Sequence, residues 1–263
     1  MQVLTSQHFR GRRAALIIGH PGHELRVWGW MRAARPIVAV VTDGGGHART
    51  SRLHLTRALC AAAAAPVSAW FGVTTDEATY HAILSHDADF FLRMADDFGR
   101  MLREHRVDCV AGDAIEGYNP THDLCRHVID RAVRLAAPVD AIDNYAFLLE
   151  GNPLSTASRS DCVRLELDPT ELALKVAAGR DYATAVGGTL LGEVEQMLAA
   201  YGETAFAQEY LIPVDAWASG ANEPSGPPFY ETYGERQVAA GHYQHVIRLR
   251  EHVTPIVERL RNA

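Results

Sequence analysis

Three histidines of this sequence are placed where they could bind one metal ion. His20 and His23 lie three residues apart in the segment IGHPGHE, directly after the apolar run AALII, and His122 follows a second apolar run much later in the chain. A catalytic zinc ion needs three protein ligands and an open position for water, and imidazole nitrogen suits it. Two close ligands completed by a distant one are a common arrangement. We therefore predict that these histidines bind Zn2+ or another divalent metal.

The spacing of His20 and His23 has a simpler alternative, a polar turn where a strand passes into a helix. The chain contains 13 histidines, so some fall three apart by chance, as His242 and His245 do. The first pair follows one predicted strand and His122 follows another. This placement favours the metal site over the turn.

Short apolar segments alternate with longer amphipathic segments along the chain. This alternation is typical of a mostly parallel sheet with helices on both faces. We predict a Rossmann-like α/β fold of one domain, residues 1–263, with a core over about residues 1–180 and a C-terminal loop and helical extension over about residues 181–263. Strands are predicted at residues 14–18, 37–42, 68–71, 107–111, 145–149 and 162–167. Helices are predicted within residues 85–108, with Ser85 as the cap, and at residues 121–135, 169–179, 192–211 and 235–263, the last one interrupted or ended near Pro255.

Further polar and glycine residues follow the predicted strands. Asp43, Gly44 and Gly45 follow the second strand, and Asp113 and Glu116 follow the fourth. Ligands of an open parallel sheet collect at the carboxyl ends of its strands. We therefore expect one of the three carboxylates to handle protons and the two glycines to approach a substrate. A flexible turn and helix caps are the alternatives.

The composition is that of an ordinary globular protein without a strong positive charge. Apolar residues make up 48% and charged residues 22% of the chain, which are ordinary values. The formal charge of -7 gives no positive field for nucleic acid or an anionic membrane. We expect a small-molecule substrate, no nucleic acid and no membrane partner, and assembly into a homo-oligomer stays open.

The cysteines and the amino terminus predict a cytoplasmic protein. Cys60, Cys109, Cys125 and Cys162 lie far apart without a CxxC pair, which argues against a disulfide framework and against a thiolate zinc site. The apolar run behind the first arginines has only five residues, too few for a signal peptide or a membrane span. We interpret this run as a strand.

Two segments resemble the signatures of the LmbE-like or PIG-L deacetylases, zinc hydrolases that remove acyl groups from amino sugars and related amines. IIGHPGHE resembles the AHPDDE motif of that family, and YNPTHDLCRHVIDRAV resembles its HPDH motif followed by a helix. VVTDGGG is similar to the polar turn that proteins of this family often carry after their second strand. The resemblance, which covers roughly the first 180 residues, implies that His20, His23 and His122 are the metal ligands and that Glu24 supports the site. His23 stands where the family has a metal-binding aspartate.

The sequence departs from this family at three further positions. Gly22 stands in place of the aspartate that acts as general base, Asn119 in place of a histidine that stabilises the tetrahedral intermediate, and Thr121 in place of an aspartate behind the last ligand. The Asn119 amide could still donate a hydrogen bond that polarises the carbonyl. Tyr118, which precedes it, is a predicted substrate contact.

The predicted reaction is metal-dependent removal of an acyl group from the nitrogen of a small hydroxylated substrate, such as an N-acyl amino sugar conjugate. Loss of a general base costs about 100- to 10,000-fold in rate, so a non-hydrolytic metal- or sugar-binding protein is the alternative. A nucleotide-sugar transferase is a third. Residues 214–233, with Trp217, Phe229, Tyr230 and Tyr233, are predicted to form a loop whose aromatic side chains either stack on a sugar or are buried.

Overall fold

The apolar runs of the sequence form strands that lie side by side in one sheet. The structure is a computed structural model that describes residues 2–4, 9, 11–46, 50–137, 142–157, 159, 162–188, 190–214 and 226–263. Its strands are β1 (Gln2–Leu4), β2 (Ala14–Ile18), β3 (Ile37–Thr42), β4 (Val67–Thr74), β5 (Cys109–Asp113), β6 (Asp143–Phe147), β7 (Val163–Glu166) and β8 (Gln208–Pro213). Within the described residues their order in the sheet is β1-β7-β8-β6-β5-β2-β3-β4.

The sheet is mostly parallel, as predicted. Strand β2 pairs in parallel with β3 and β5, and β4 and β6 continue the parallel arrangement on either side. Strand β8 alone among the described strands runs antiparallel to its neighbours, β6 and β7. Side chains of β2, β3 and β5 are buried along their whole length, so the carboxyl ends of these strands form the centre of one rim.

Helices cover both faces of the sheet, which confirms the predicted layers. They are α1 (Trp28–Ala34), α2 (Leu53–Ala62), α3 (Asp76–Leu84), α4 (Ala88–Glu104), α5 (Pro120–Ala136), α6 (Pro169–Val186), α7 (Leu190–Tyr201), α8 (Phe229–Ala239) and α9 (Thr254–Asn262). Helices α4, α5 and α9 pack on Ile17 and Val110, whereas α1 and α2 pack on Leu16 and Val40 from the other face. None of the helices in the described ranges is both long and apolar enough to cross a membrane.

Strand β8 was not predicted, because residues 192–211 carry helix-forming residues almost throughout. The helix ends at Tyr201, since Gly202 adopts a φ of 75° that favours glycine. A short 3-10 helix, Glu203–Ala207, follows, and the chain then enters β8. A segment that was expected to belong to an extension therefore lies inside the sheet.

Two predicted helix boundaries were wrong. Helix α4 is capped by Asp87, whose carboxylate accepts a hydrogen bond from the Phe90 amide at 3.0 Å, whereas Ser85 lies at the end of α3. The predicted last helix starts earlier, at Phe229, and its interruption is longer than expected, because α8 ends at Ala239 and a π-helical turn at Leu249–Val253 precedes α9. Because α8 begins at Phe229, the predicted loop of residues 214–233 ends earlier. Trp217 lies outside the described residues.

The four cysteines are buried and form no disulfide with one another. Burial raises the pKa of the Cys60 and Cys109 thiols to about 12. Thiols of this kind act as small apolar groups in the core.

Candidate metal centre

His20 and His23 are positioned by a tight turn after β2. The turn depends on Gly22, whose φ of 104° favours glycine over residues with a side chain. A 3-10 helix, His23–Val27, starts directly after it. The Glu24 carboxylate accepts a hydrogen bond from the Gly22 amide at 2.8 Å, and burial raises the pKa of this carboxyl to about 7.

His122 is brought to the same place by β5 and α5. Strand β5 pairs with β2, with Gly112 beside Ile17, so the segments that follow both strands leave the sheet at one rim. Helix α5 starts after Asn119, whose side chain caps it by accepting a hydrogen bond from the Thr121 amide at 2.8 Å. His122 therefore lies in the first helical turn, above the carboxyl end of β2.

The three histidines form one compact cluster. Each offers a ring nitrogen, and these three atoms lie within 4.8 Å of one another. The ring centroids are 5.4 Å apart for His20 and His23, 4.9 Å for His20 and His122, and 4.4 Å for His23 and His122. Burial lowers the pKa of His23, although Asp113 opposes this, and burial with the neighbouring rings lowers the pKa of His122 well below its ordinary value. Neutral imidazole, the form that binds metal, is therefore favoured.

Two carboxylates hold the rings from behind. Both oxygens of Asp113 lie 3.0 Å from Nδ1 of His23, and Oδ2 also accepts a hydrogen bond from the Gly19 amide at 2.8 Å. Oδ1 of Asp76 lies 3.1 Å from Nε2 of His20. A carboxylate behind a ligating imidazole is the usual means of fixing the ring in a metal site.

Asp76 is a site residue that the sequence prediction missed. It is the first residue of α3, which follows the edge strand β4, and the Gly46 amide donates a hydrogen bond to its Oδ2 at 2.7 Å. Burial would raise the pKa of Asp76, but His20, Thr42 and the Gly46 amide together lower it below its usual range. An aspartate in a first helical turn is common, so the sequence alone gave no reason to choose it.

The cluster fits a metal ion because it contains buried ring nitrogens without a protein partner. Within the described residues, Nδ1 of His20 and Nδ1 of His122 are buried and make no hydrogen bond. Since Asp113 occupies Nδ1 of His23, the Nε2 of that ring stays available for a ligand. Buried polar atoms are nearly always satisfied in proteins, and a cation shared by the three rings would satisfy this group.

The carboxylates predicted to handle protons do not lie together in the cleft. Asp43 accepts a hydrogen bond from the Gly45 amide at 3.1 Å, within its own turn. Glu116 accepts hydrogen bonds from the Leu149 and Glu150 amides at 2.7 and 3.1 Å, and burial raises its pKa to about 7. Asp113 is fully buried behind His23. These three carboxylates therefore accept hydrogen bonds from backbone amides or contact the His23 imidazole.

The predicted substrate contacts lie at different depths. Asn119 borders the cleft, with its Nδ2 donating a hydrogen bond to the Tyr80 hydroxyl at 3.1 Å, and Tyr118 borders it as an exposed ring. Gly44 and Gly45 are buried in the turn after β3. In this turn Gly46 lines the cleft.

The histidine cluster lies in a large cleft of about 1530 Å³. Helices α6, α7 and α8 contribute to its walls, together with the segment 147–153 that follows β6. Pockets for drug-sized ligands usually have about 300–1000 Å³. The cleft is therefore large enough for a substrate of more than one ring.

The chain matches no protein-family model, and no curated protein matches it. The functional argument therefore depends on the geometry of the cleft.

We predict that Asp113→Asn weakens zinc affinity by about 10- to 100-fold, the usual effect of losing a carboxylate behind a metal ligand. The amide carries no charge and cannot replace both oxygens that now face His23 and Gly19. Competition with a zinc chelator measures the dissociation constant. Asp43→Asn is the matched control, because Asp43 contacts none of the three histidines in the described structure. Equal affinity of Asp113→Asn and wild type would show that Asp113 does not support the site.

Proposed function

We propose that this protein is a zinc-dependent hydrolase that removes an acyl group from the nitrogen of a small hydroxylated substrate, such as an N-acyl amino sugar conjugate. The observation that carries the proposal is the cluster of His20, His23 and His122 at the wall of a large cleft. Three protein ligands beside a solvent-accessible space are typical of catalytic zinc. The similarity of HPGHE and NPTH to the motifs of the LmbE-like or PIG-L deacetylases supports the same reaction class.

Zinc is the favoured metal because all three ligands are imidazoles. Imidazole suits zinc better than magnesium or calcium, which take oxygen ligands. When bound, the ion would supply Lewis-acid chemistry, polarising the acyl carbonyl and lowering the pKa of water toward about 7. Neutral ligands leave its charge undiminished, which favours both effects.

In this proposal the residues around the cluster have structural tasks. The three imidazoles hold the ion, Asp113 fixes the His23 ring, and Asp76 fixes the His20 ring. Asn119 borders the cleft beside His122, from where the second proton of its Nδ2 can point to a carbonyl oxygen.

The shape of the cleft supports a ring-containing, hydroxylated substrate. Tyr118 and Phe229 stack with parallel rings 4.8 Å apart, and Tyr233 continues the row at 5.7 Å. All three rings are exposed and line the cleft. Partly exposed aromatic side chains suit the apolar faces of sugar rings, and the Arg52 guanidinium, which lines the same cleft, can donate hydrogen bonds to hydroxyl groups.

A second candidate function is binding without hydrolysis. It is favoured by Gly22, which lacks the side chain of a base, and by Asp43, Asp113 and Glu116, whose carboxylates contact amides or His23. A metal- or sugar-binding protein would keep the cluster and the cleft but release no product.

The two functions are separated by assaying amine release from a panel of N-acetyl and longer N-acyl amino sugar glycosides. We expect the zinc-loaded protein to release primary amine, detected with a fluorogenic amine reagent. Activity should fall at least 100-fold after chelation and return when zinc is added. The control is His242→Ala, because His242 lines the cleft outside the histidine cluster. Panel members that raise the melting temperature without releasing amine would establish the binding function instead.

A further inference from the structure

Gly22 lies between two of the proposed metal ligands, and the space above it is filled by a tyrosine. A β-carbon built on Gly22 would lie 3.0 Å from Cε1, Cζ and Oη of Tyr182. The hydroxyl end of this ring therefore packs on the turn that carries His20 and His23. Tyr182 also lines the cleft that contains the histidine cluster.

The Tyr182 hydroxyl is buried without a partner. The side chain is only 5% exposed, and within the described residues its Oη makes no hydrogen bond of good geometry. An unsatisfied buried hydroxyl destabilises a fold, so its retention beside the metal ligands requires an explanation. Burial, with the charge of Glu24 as a smaller cause, raises the pKa of the phenol, although the neighbouring Thr56 side chain acts to lower this pKa. The hydroxyl therefore keeps its proton at neutral pH and can act as a donor.

Helix α6 holds Tyr182 in this position. The helix begins with a capping box at Asp168 and Glu171. In its middle, the Lys175 ammonium donates hydrogen bonds to the Arg26 carbonyl at 3.0 Å and to the Glu209 carboxylate at 2.7 Å. The helix is thus tied to the segment that follows His23, which fixes the distance between Tyr182 and the turn.

We propose that Tyr182 is a catalytic residue. Its hydroxyl donates a hydrogen bond to the acyl oxygen of a substrate bound at the histidine cluster. The inference rests on the proposed function and names a second hydrogen-bond donor to the acyl oxygen, in addition to the Asn119 amide. Donors aimed at the developing charge on an acyl oxygen contribute substantially to acyl transfer. Gly22 is required on this account because a side chain there would displace the Tyr182 ring.

A purely structural role for Tyr182 is the rival explanation. Oε1 of Glu24 and Oγ1 of Thr56 are also buried without a hydrogen-bond partner in the described residues, and both residues influence the pKa of Tyr182. In that case the hydroxyl would serve a buried polar group behind the turn. It would then contribute to stability and have no effect on a ligand in the cleft.

The affinity of acetohydroxamate, an analogue of the reacting acyl group that chelates zinc, distinguishes the two roles. Titration calorimetry would compare zinc-loaded wild type, Tyr182→Phe and Tyr230→Phe, together with zinc content and melting temperature. Tyr230 is the matched control, since its ring borders the same cleft and its hydroxyl is also buried and unpartnered within the described residues. Tyr182, in contrast, packs on the turn that carries His20 and His23. We expect Tyr182→Phe to bind acetohydroxamate about 10- to 100-fold more weakly at unchanged zinc content, and Tyr230→Phe to bind it as wild type does.

Equal hydroxamate affinity in all three proteins would overturn the assignment of Tyr182, whether or not the melting temperature changes. That result would leave the proposed hydrolase intact. A wild type that binds no zinc would overturn both proposals. Loss of hydroxamate affinity in Tyr182→Phe, combined with no amine release from the N-acyl sugar panel by wild type, would retain Tyr182 as an acyl-group contact and remove hydrolysis.

Discussion

Replacing His122 by alanine should weaken zinc binding by roughly 100- to 1000-fold. Structural zinc sites with four protein ligands bind Zn2+ with a free energy of about 10–16 kcal/mol. One ligand therefore contributes roughly 3–4 kcal/mol of this binding free energy. Every 1.4 kcal/mol changes the affinity about tenfold. His122 is the ligand that joins α5 to the turn after β2, so its loss leaves only the close pair His20 and His23. Chelator competition, followed by zinc analysis of the desalted protein, measures the effect.

His242→Ala is the control for this variant. His242 also lies in the cleft and repeats the three-residue spacing with His245, but neither belongs to the cluster. It should keep about one equivalent of zinc. If His122→Ala retains as much zinc as His242→Ala, the proposed metal centre is wrong.

Replacing Glu209 by alanine should lower the free energy of unfolding by about 3–5 kcal/mol, the usual cost of removing one partner of a buried ion pair. The Glu209 carboxylate accepts hydrogen bonds from the Gly29 and Trp30 amides, both at 2.8 Å, and from the Lys175 ammonium at 2.7 Å. Its removal leaves two amides of α1 and one buried ammonium without their acceptor. Burial lowers the pKa of Lys175, and Glu209 opposes this shift. We therefore expect Lys175 to lose its proton more readily in the Glu209→Ala variant than in wild type.

Urea unfolding followed by circular dichroism tests this prediction through the midpoint and the slope. The control is Glu195→Ala, which removes an exposed ion pair with Arg180 and should leave the midpoint unchanged, since such pairs are screened by water. A midpoint for Glu209→Ala equal to that of the control would show that the buried pair does not tie α6 and β8 to α1.

The central strands could be predicted from sequence because their apolar runs are continuous and end at polar or turn-forming residues. Strands β2 and β3 have the predicted bounds, 14–18 and 37–42. Strand β8 could not be predicted in this way, since six residues after a helical segment give too little periodicity to distinguish a strand from a helix end. Its place between β6 and β7 is decided by tertiary contacts, among them the Lys175–Glu209 pair.

The histidine cluster was predictable because its members follow neighbouring parallel strands. Strands β2 and β5 end at one rim, so His20, His23 and His122 had to lie near one another. The contributions of Asp76 and Tyr182 were not predictable, because α3 and α6 approach the turn only in three dimensions. Glu116 shows the opposite case, a carboxylate at the expected rim whose hydrogen bonds fix the segment after β6.

The most direct test of the account is an anomalous difference map, collected at the zinc edge from a crystal of the zinc-loaded protein. The account predicts one strong peak at about 2.0–2.1 Å from a ring nitrogen of each of His20, His23 and His122, with no cysteine sulfur in contact. A peak at His242 and His245 instead, or no peak at the carboxyl end of β2, would contradict it.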